Sequence, residues 1–283
     1  MNTENKCIIC GGNKKEFWAR KDKYTAVKCL NCGLIWIDPL PTKDELNRFY
    51  DGYYQRRVNN VVCEQRQIMY LLERDWLEQF IKKGTLLDIG CSDGSFLSTF
   101  GRSWKKYGVE IGEDAVKEAI KKGLNVIYGS EEAALSFKKK FDCVMMRGTI
   151  EHFTNPKSAI KVVSQVLKPN GYLFITATPD VDAFCADLYR EKWDQFEPPA
   201  HLYYFSIKTI SRLFKQFGFK MVAQNHFYPE TPYANLDEDH KKVLNDMQLI
   251  KNGQRDQVNK SAAFWGNMMT VLFNFHTKKS PFF

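Results

Sequence analysis

Leu86-Leu87-Asp88-Ile89-Gly90-Cys91-Ser92-Asp93-Gly94-Ser95-Phe96 decides how the rest of the chain is read. An apolar run carries an acidic residue near its end, a glycine-bearing turn follows, and a helix opens near Gly94. Glycines in such a turn let the backbone approach a ligand closely and take conformations barred to other residues. Glu110 ends the next apolar run, about 20 residues on, where nucleotide-binding sheets place an acid against ribose hydroxyls.

Outward from this turn the pattern alternates. Short apolar runs at 85–89, 106–111, 125–128, 141–146 and 172–177 are separated by helical segments at 94–103, 114–122 and 156–167. Such alternation predicts a parallel sheet covered by helices on both faces. Two later runs, 219–228 and 268–278, read as further strands, with a polar helical stretch at 237–255 between them. The expected fold is therefore α/β, a Rossmann-like, mostly parallel, seven-stranded sheet. Its core spans 84–228, and 229–283 adds a helix and a last strand that completes the sheet.

Residues 39–83 read as a helical connector. Pro39 and Pro41 mark its start. Thr42 stands three residues before Glu45, the spacing of a capping box. Ile68, Leu71, Leu72, Trp76, Leu77 and Phe80 follow at helical spacing. Arg56, Arg57, Arg66 and Arg74 read either as a phosphate-binding face or as a solvated one.

Residues 1–38 carry Cys7 and Cys10, then eighteen intervening residues, then Cys29 and Cys32. Two C-x2-C pairs at this spacing can close a tetrahedral thiolate shell around Zn²⁺. Gly11-Gly12 and Gly33 supply the tight turns that aim two thiols at one ion. The span is expected to be a four-cysteine zinc ribbon, structural because four protein ligands leave no open position. Cys63, Cys91, Cys143 and Cys185 are scattered, so the pattern is a metal site with isolated thiols and no disulfide framework.

The 283 residues are 44% apolar and 26% charged, ordinary values for a globular protein. The net charge of +8 favours anionic partners without selecting one. No apolar run approaches the roughly 20 residues a bilayer requires. The first six residues lack the apolar core of a signal peptide. A cytoplasmic protein is expected.

A glycine turn alone fits NAD, FAD or S-adenosylmethionine (SAM). The dinucleotide fingerprint G-x-G-x-x-G is not met, and Asp88 on the strand suits a cationic ligand. At this point the chain resembles class I SAM-dependent methyltransferases, whose first motif reads roughly (D/E)-h-G-x-G-x-G. Asp88, Gly90 and Gly94 match it, and Ser92 departs from the middle glycine. Tyr107-Gly108-Val109-Glu110-Ile111, the fourth strand with Glu151-His152 after it, and Leu167-Lys168-Pro169-Asn170-Gly171 resemble later motifs in order. The resemblance covers about 84–228. It implies that Asp88, Gly90, Ser92, Gly94, Glu110, Ile111 and Glu151 hold SAM.

The ribbon, Gly33-Leu34-Ile35-Trp36-Ile37-Asp38-Pro39 and the tyrosines Tyr50, Tyr53 and Tyr54 resemble a subgroup common in glycan, deoxysugar and natural-product pathways. His201-Leu202-Tyr203-Tyr204-Phe205-Ser206 resembles that subgroup's H-L-x-Y-F-S segment. The resemblance implies catalytic roles for His201 and Tyr204. His152, at the carboxyl edge of the sheet, is the other candidate base. His226, His240 and His276 have no supporting motif and read as structural. The expected reaction is methyl transfer to a hydroxyl or carbon of a small molecule, a nucleotide-linked sugar or glycan precursor. Two alternatives stay open: an RNA methyltransferase that grips nucleic acid with the ribbon, and a non-catalytic zinc- and SAM-binding module.

Overall fold

The computed structural model describes residues 6–51 and 63–276. Strands β1 (Lys15–Lys21), β2 (Tyr24–Cys29) and β3 (Ile35–Ile37) form an antiparallel meander. Helix α1 (Lys43–Tyr50) opens on the expected capping box: Thr42 Oγ1 accepts from the Glu45 amide and Glu45 accepts from the Thr42 amide. Helix α2 (Cys63–Leu77) follows, stopping short of residue 83.

Next come β4 (Gly84–Ile89), α3 (Ser95–Ser98), β5 (Trp104–Glu110), α4 (Glu113–Lys121), β6 (Asn125–Tyr128), β7 (Phe141–Arg147), α5 (Pro156–Val166) and β8 (Leu167–Pro179). The helix expected over 94–103 is one turn. Ser98 and Thr99 hydroxyls turn back onto the carbonyls of Gly94 and Phe96, and the chain enters β5 at the buried Trp104. The chain continues through α6 (Phe184–Tyr189), β9 (Tyr203–Tyr204), α7 (Ile207–Lys215), β10 (Phe219–Asn225), α8 (Leu236–Lys251) and β11 (Met268–Phe275).

Seven strands form one sheet in the order β10-β11-β8-β7-β4-β5-β6. Neighbours from β8 to β6 pair in parallel, and β11 runs antiparallel to β8 and β10. Central strands of such a sheet are buried on both faces and so lose the alternation of polar and apolar residues. Cys143, Val144, Met145 and Met146 of β7, and Leu173, Phe174 and Ile175 of β8, are all fully buried. Each such aliphatic or aromatic side chain stabilises the fold by about 1.5–3 kcal/mol. The outer helices turn one stripe inward, as α7 does with Ile210, Leu213 and Phe214.

The packing joins the spans read from the sequence to one another. Strand β9, from inside the 84–228 span, pairs with β3 and becomes the fourth strand of the ribbon sheet. The ribbon residues Ile9, Val27, Leu34 and Trp36 share a hydrophobic cluster with Leu202, Phe205 and Phe214. Strand β11, from 229–283, lies between β8 and β10 inside the main sheet.

Candidate active site

The parallel strands β7, β4 and β5 are adjacent, so the turns after them meet at one edge of the sheet. Ligands bind at that edge in open α/β folds. A cavity of about 480 Å³ opens there, lined by Asp88, Gly90, Ser92, Glu110, Arg147 and His152 among others. This volume lies in the range of ligand pockets, about 300–1,000 Å³.

The turn after β4 is built on left-handed backbone. Gly90 has φ 81° and packs so closely on Thr149 that a Cβ would lie 2.7 Å from its Cγ2. Ser92 also takes a left-handed φ, 50°, although it is not a glycine. Its amide donates to Glu110 Oε2 at 2.8 Å, and the Gly112 amide donates to Oε1 at 2.7 Å. Glu110 thus ties the first turn to the second while lining the cavity. Ile111 beside it is an exposed apolar wall.

Asp88 is buried in the cavity wall, and its Oδ1 has no hydrogen-bond partner among the described residues. Burial and the nearby Glu110 carboxylate push its pKa up to about 8. A buried, unsatisfied carboxyl oxygen in a cavity is the acceptor that a cationic ligand needs. The residues present therefore fit SAM: an unsatisfied acid, a glycine turn that lets backbone approach, and a second acid one strand over.

Two expected cofactor residues lie off the cavity wall. Gly94 is a glycine for packing: a Cβ there would fall 2.2 Å from Leu124 Cδ1. Glu151 is fully buried and accepts from Thr178 Oγ1 at 3.1 Å. Burial raises its pKa to about 7.

Some cavity residues escaped the sequence reading. Arg147 closes one wall, paired through Nε and Nη2 with the buried Glu73 at 2.6 and 3.1 Å. Its guanidinium lies 4.6 Å from the Tyr70 ring centre. Glu131, its pKa raised by burial, lines the wall after β6. Tyr50, noted in the sequence only as one of a tyrosine cluster, sets its hydroxyl 3.1 Å from His152 Nδ1. None of these contacts has a local motif; the Glu73–Arg147 pair joins residues 74 positions apart.

The two candidate bases come together. The rings of His152 and His201 meet edge to face with centroids 4.9 Å apart. His152 reaches the cavity wall, whereas His201 is buried behind it, its pKa lowered by burial. Tyr204 is not at the cavity. It is fully buried against Trp18 and Phe196, and its hydroxyl donates to the His201 carbonyl at 3.2 Å. Among the other candidates, Arg74 donates to the Thr99 carbonyl, His226 pairs with Asp180 and His240 stacks on Trp265. Tyr53, Tyr54, Arg56 and Arg57 lie outside the described residues.

The N-terminal cysteines also converge. Sγ atoms of Cys7, Cys10, Cys29 and Cys32 lie within 4.8 Å of one another. Two matching turns hold them: the Gly11 amide donates to the Cys7 carbonyl and the Gly33 amide to the Cys29 carbonyl, each at 2.9 Å. Both glycines have positive φ. Zn–S bonds of about 2.3 Å set tetrahedral sulfurs about 3.8 Å apart, so the cluster fits a zinc site.

Fold and cavity together define a SAM-dependent methyltransferase. The methyltransferase domain family matches residues 54–224, and the chain belongs to that family. It is similar to an uncharacterized protein of Methanocaldococcus jannaschii, 32% identical over 176 residues, covering 62% of this chain and 82% of that protein. It is also similar to the ubiquinone biosynthesis O-methyltransferase of Erwinia tasmaniensis, 28% identical over 118 residues. That match covers 37% of this chain and about half (48%) of the relative. The fold superposes on the magnesium protoporphyrin IX methyltransferase of Synechocystis, solved with S-adenosylhomocysteine bound. There the TM-score is 0.53 at 12% identity, over 83% of this chain and all (100%) of the other.

Proposed function

We propose that this enzyme methylates a hydroxyl or carbon of a small molecule, a nucleotide-linked sugar or glycan precursor. The observation that carries the reading is the unsatisfied Asp88 Oδ1 in a cavity that Glu110 also lines. SAM, when bound, supplies an activated methyl on a sulfonium. Asp88 then pairs with positive charge, Glu110 takes ribose hydroxyls, and Ile111 covers an apolar face. The transfer needs alignment of the acceptor more than activation of the methyl. The acceptor's proton must leave, and of the grouped Glu151, His152 and His201 it is His152 that lines the cavity and can receive it.

The O-methyltransferase names among the relatives favour an oxygen acceptor, and the charge of +8 favours an anionic one. The thiolate cluster is proposed to hold structural Zn²⁺. RNA is the second reading, favoured by Phe17, which is 66% exposed on the N-terminal sheet. Labelled SAM presented with sugar nucleotides and with RNA separates them. Label in a sugar nucleotide supports the leading reading, and label confined to RNA replaces it.

A further inference from the structure

We propose that Glu151, His152 and His201 form a second metal site, for a divalent first-row transition ion, behind the cavity wall at His152. Each of the three offers a ligand atom, and these atoms lie within 4.8 Å of one another. The hydrogen bonds at Nδ1 decide which ring nitrogen can act as a ligand. His152 Nδ1 lies 2.8 Å from the Ala200 carbonyl, and His201 Nδ1 lies 2.8 Å from the Gln195 carbonyl. A carbonyl only accepts, so both Nδ1 atoms carry hydrogen and both rings have their lone pair on Nε2. Metal-binding histidines are usually held in this way, with the second N–H donated to a carbonyl or carboxylate.

The same segment supplies the frame. Residues 195–200 contribute both carbonyls, and the Leu202 amide donates to the Glu151 carbonyl at 2.9 Å. Thr178 steadies the Glu151 carboxylate. Two nitrogens and an oxygen suit Mn²⁺, Fe²⁺, Co²⁺ or Zn²⁺ and leave coordination positions open. A cation here reaches the cavity only on the His152 side, since His201 and Glu151 are buried. The site stands on these side chains. Its use rests on the proposed methyl transfer: an acceptor oxygen that meets the ion ionises more readily.

The test is titration of the full chain, loaded with one equivalent of zinc so that only the four-thiolate cluster is filled, with Mn²⁺, followed by electron paramagnetic resonance. Thiolate ligands do not favour Mn²⁺, so the ribbon is silent in this experiment. The wild type is expected to bind one Mn²⁺ per chain. Glu151→Gln, His152→Asn and His201→Asn are each expected to weaken binding at least about tenfold. SAM affinity and zinc content, measured on the same samples, show whether each variant is folded. His152→Asn, at the cavity wall, keeps the test open if the buried variants fail to fold. Wild type that binds no Mn²⁺ below about 1 mM, or a folded His152→Asn that binds as tightly as wild type, overturns the proposal. Mn²⁺ binding without SAM binding keeps the metal site and removes the methyltransferase reading; SAM binding without Mn²⁺ does the reverse.

Discussion

Glu110, at the end of one strand, accepts the backbone amide of Ser92, in the turn after the neighbouring strand, at 2.8 Å. One carboxylate therefore holds the turn and lines the cavity at once. Glu110→Ala removes both functions. Hydrogen bonds to a charged group contribute about 1.5–3 kcal/mol each. SAM affinity should fall by roughly 10- to 150-fold, as calorimetry would show. Glu110→Gln, which keeps an acceptor, should lose less.

Asp88 gives the site a pH dependence. Its pKa is raised from 3.8 to about 8, so at neutral pH the carboxyl is protonated in the protein alone. A cationic ligand requires the carboxylate, so binding should release about one proton at pH 7. Affinity should strengthen as pH rises toward about 8 and level off above it. Calorimetry in buffers of different ionisation enthalpy measures the proton, and Asp88→Asn should abolish its release. Stability runs the other way. The raised pKa means Asp88's contribution is fully present below the unfolded value and is lost as pH rises through about 8. Without ligand, Asp88→Asn should gain on the wild type over that window, which denaturant melts at pH 5 and pH 8 would show.

The Glu73–Arg147 pair closes the cavity wall from inside. Glu73 is 1% exposed and the Arg147 guanidinium stacks on Tyr70. Removing one partner of a buried pair leaves the other charge uncompensated, at about 3–5 kcal/mol. Glu73→Gln should lower unfolding free energy by that amount in urea melts. A loss below about 0.5 kcal/mol would mean the pair is solvated.

The ribbon reaches the histidines through backbone. Ile35 and Trp36 pair with Tyr204 and Tyr203, and the Ile37 amide donates to the Leu202 carbonyl. Removing the zinc proposed for the four cysteines should therefore loosen 201–204. Cys32→Ser should lose zinc, and hydrogen exchange at Ile37 and Tyr204 should quicken by at least about tenfold. Amides of β7 should keep their protection, because its ladder is with β4 and β8.

What was legible in the sequence is what lies close along the chain. The turn at Gly90, the capping box at Thr42 and the paired cysteines each sit within a few residues. The parallel strands were legible because burial on both faces writes unbroken apolar runs. Gly94 is ambiguous in sequence: the residue type shows that a Cβ is excluded, but not whether ligand, left-handed backbone or Leu124 excludes it. Tyr204 is ambiguous for a related reason, since a buried phenol bonded to a carbonyl looks, in sequence, like one facing substrate. Arg147 with Glu73 and β3 with β9 were hidden, because nothing local records partners many positions away.

Titration of SAM into the zinc-loaded protein, with calorimetric readout, tests the central claim most directly. The predicted result is saturable binding of one SAM per chain, strongly weakened in both Asp88→Asn and Glu110→Ala. No binding by the folded wild type, or binding that neither substitution alters, would contradict the assignment of this cavity to SAM.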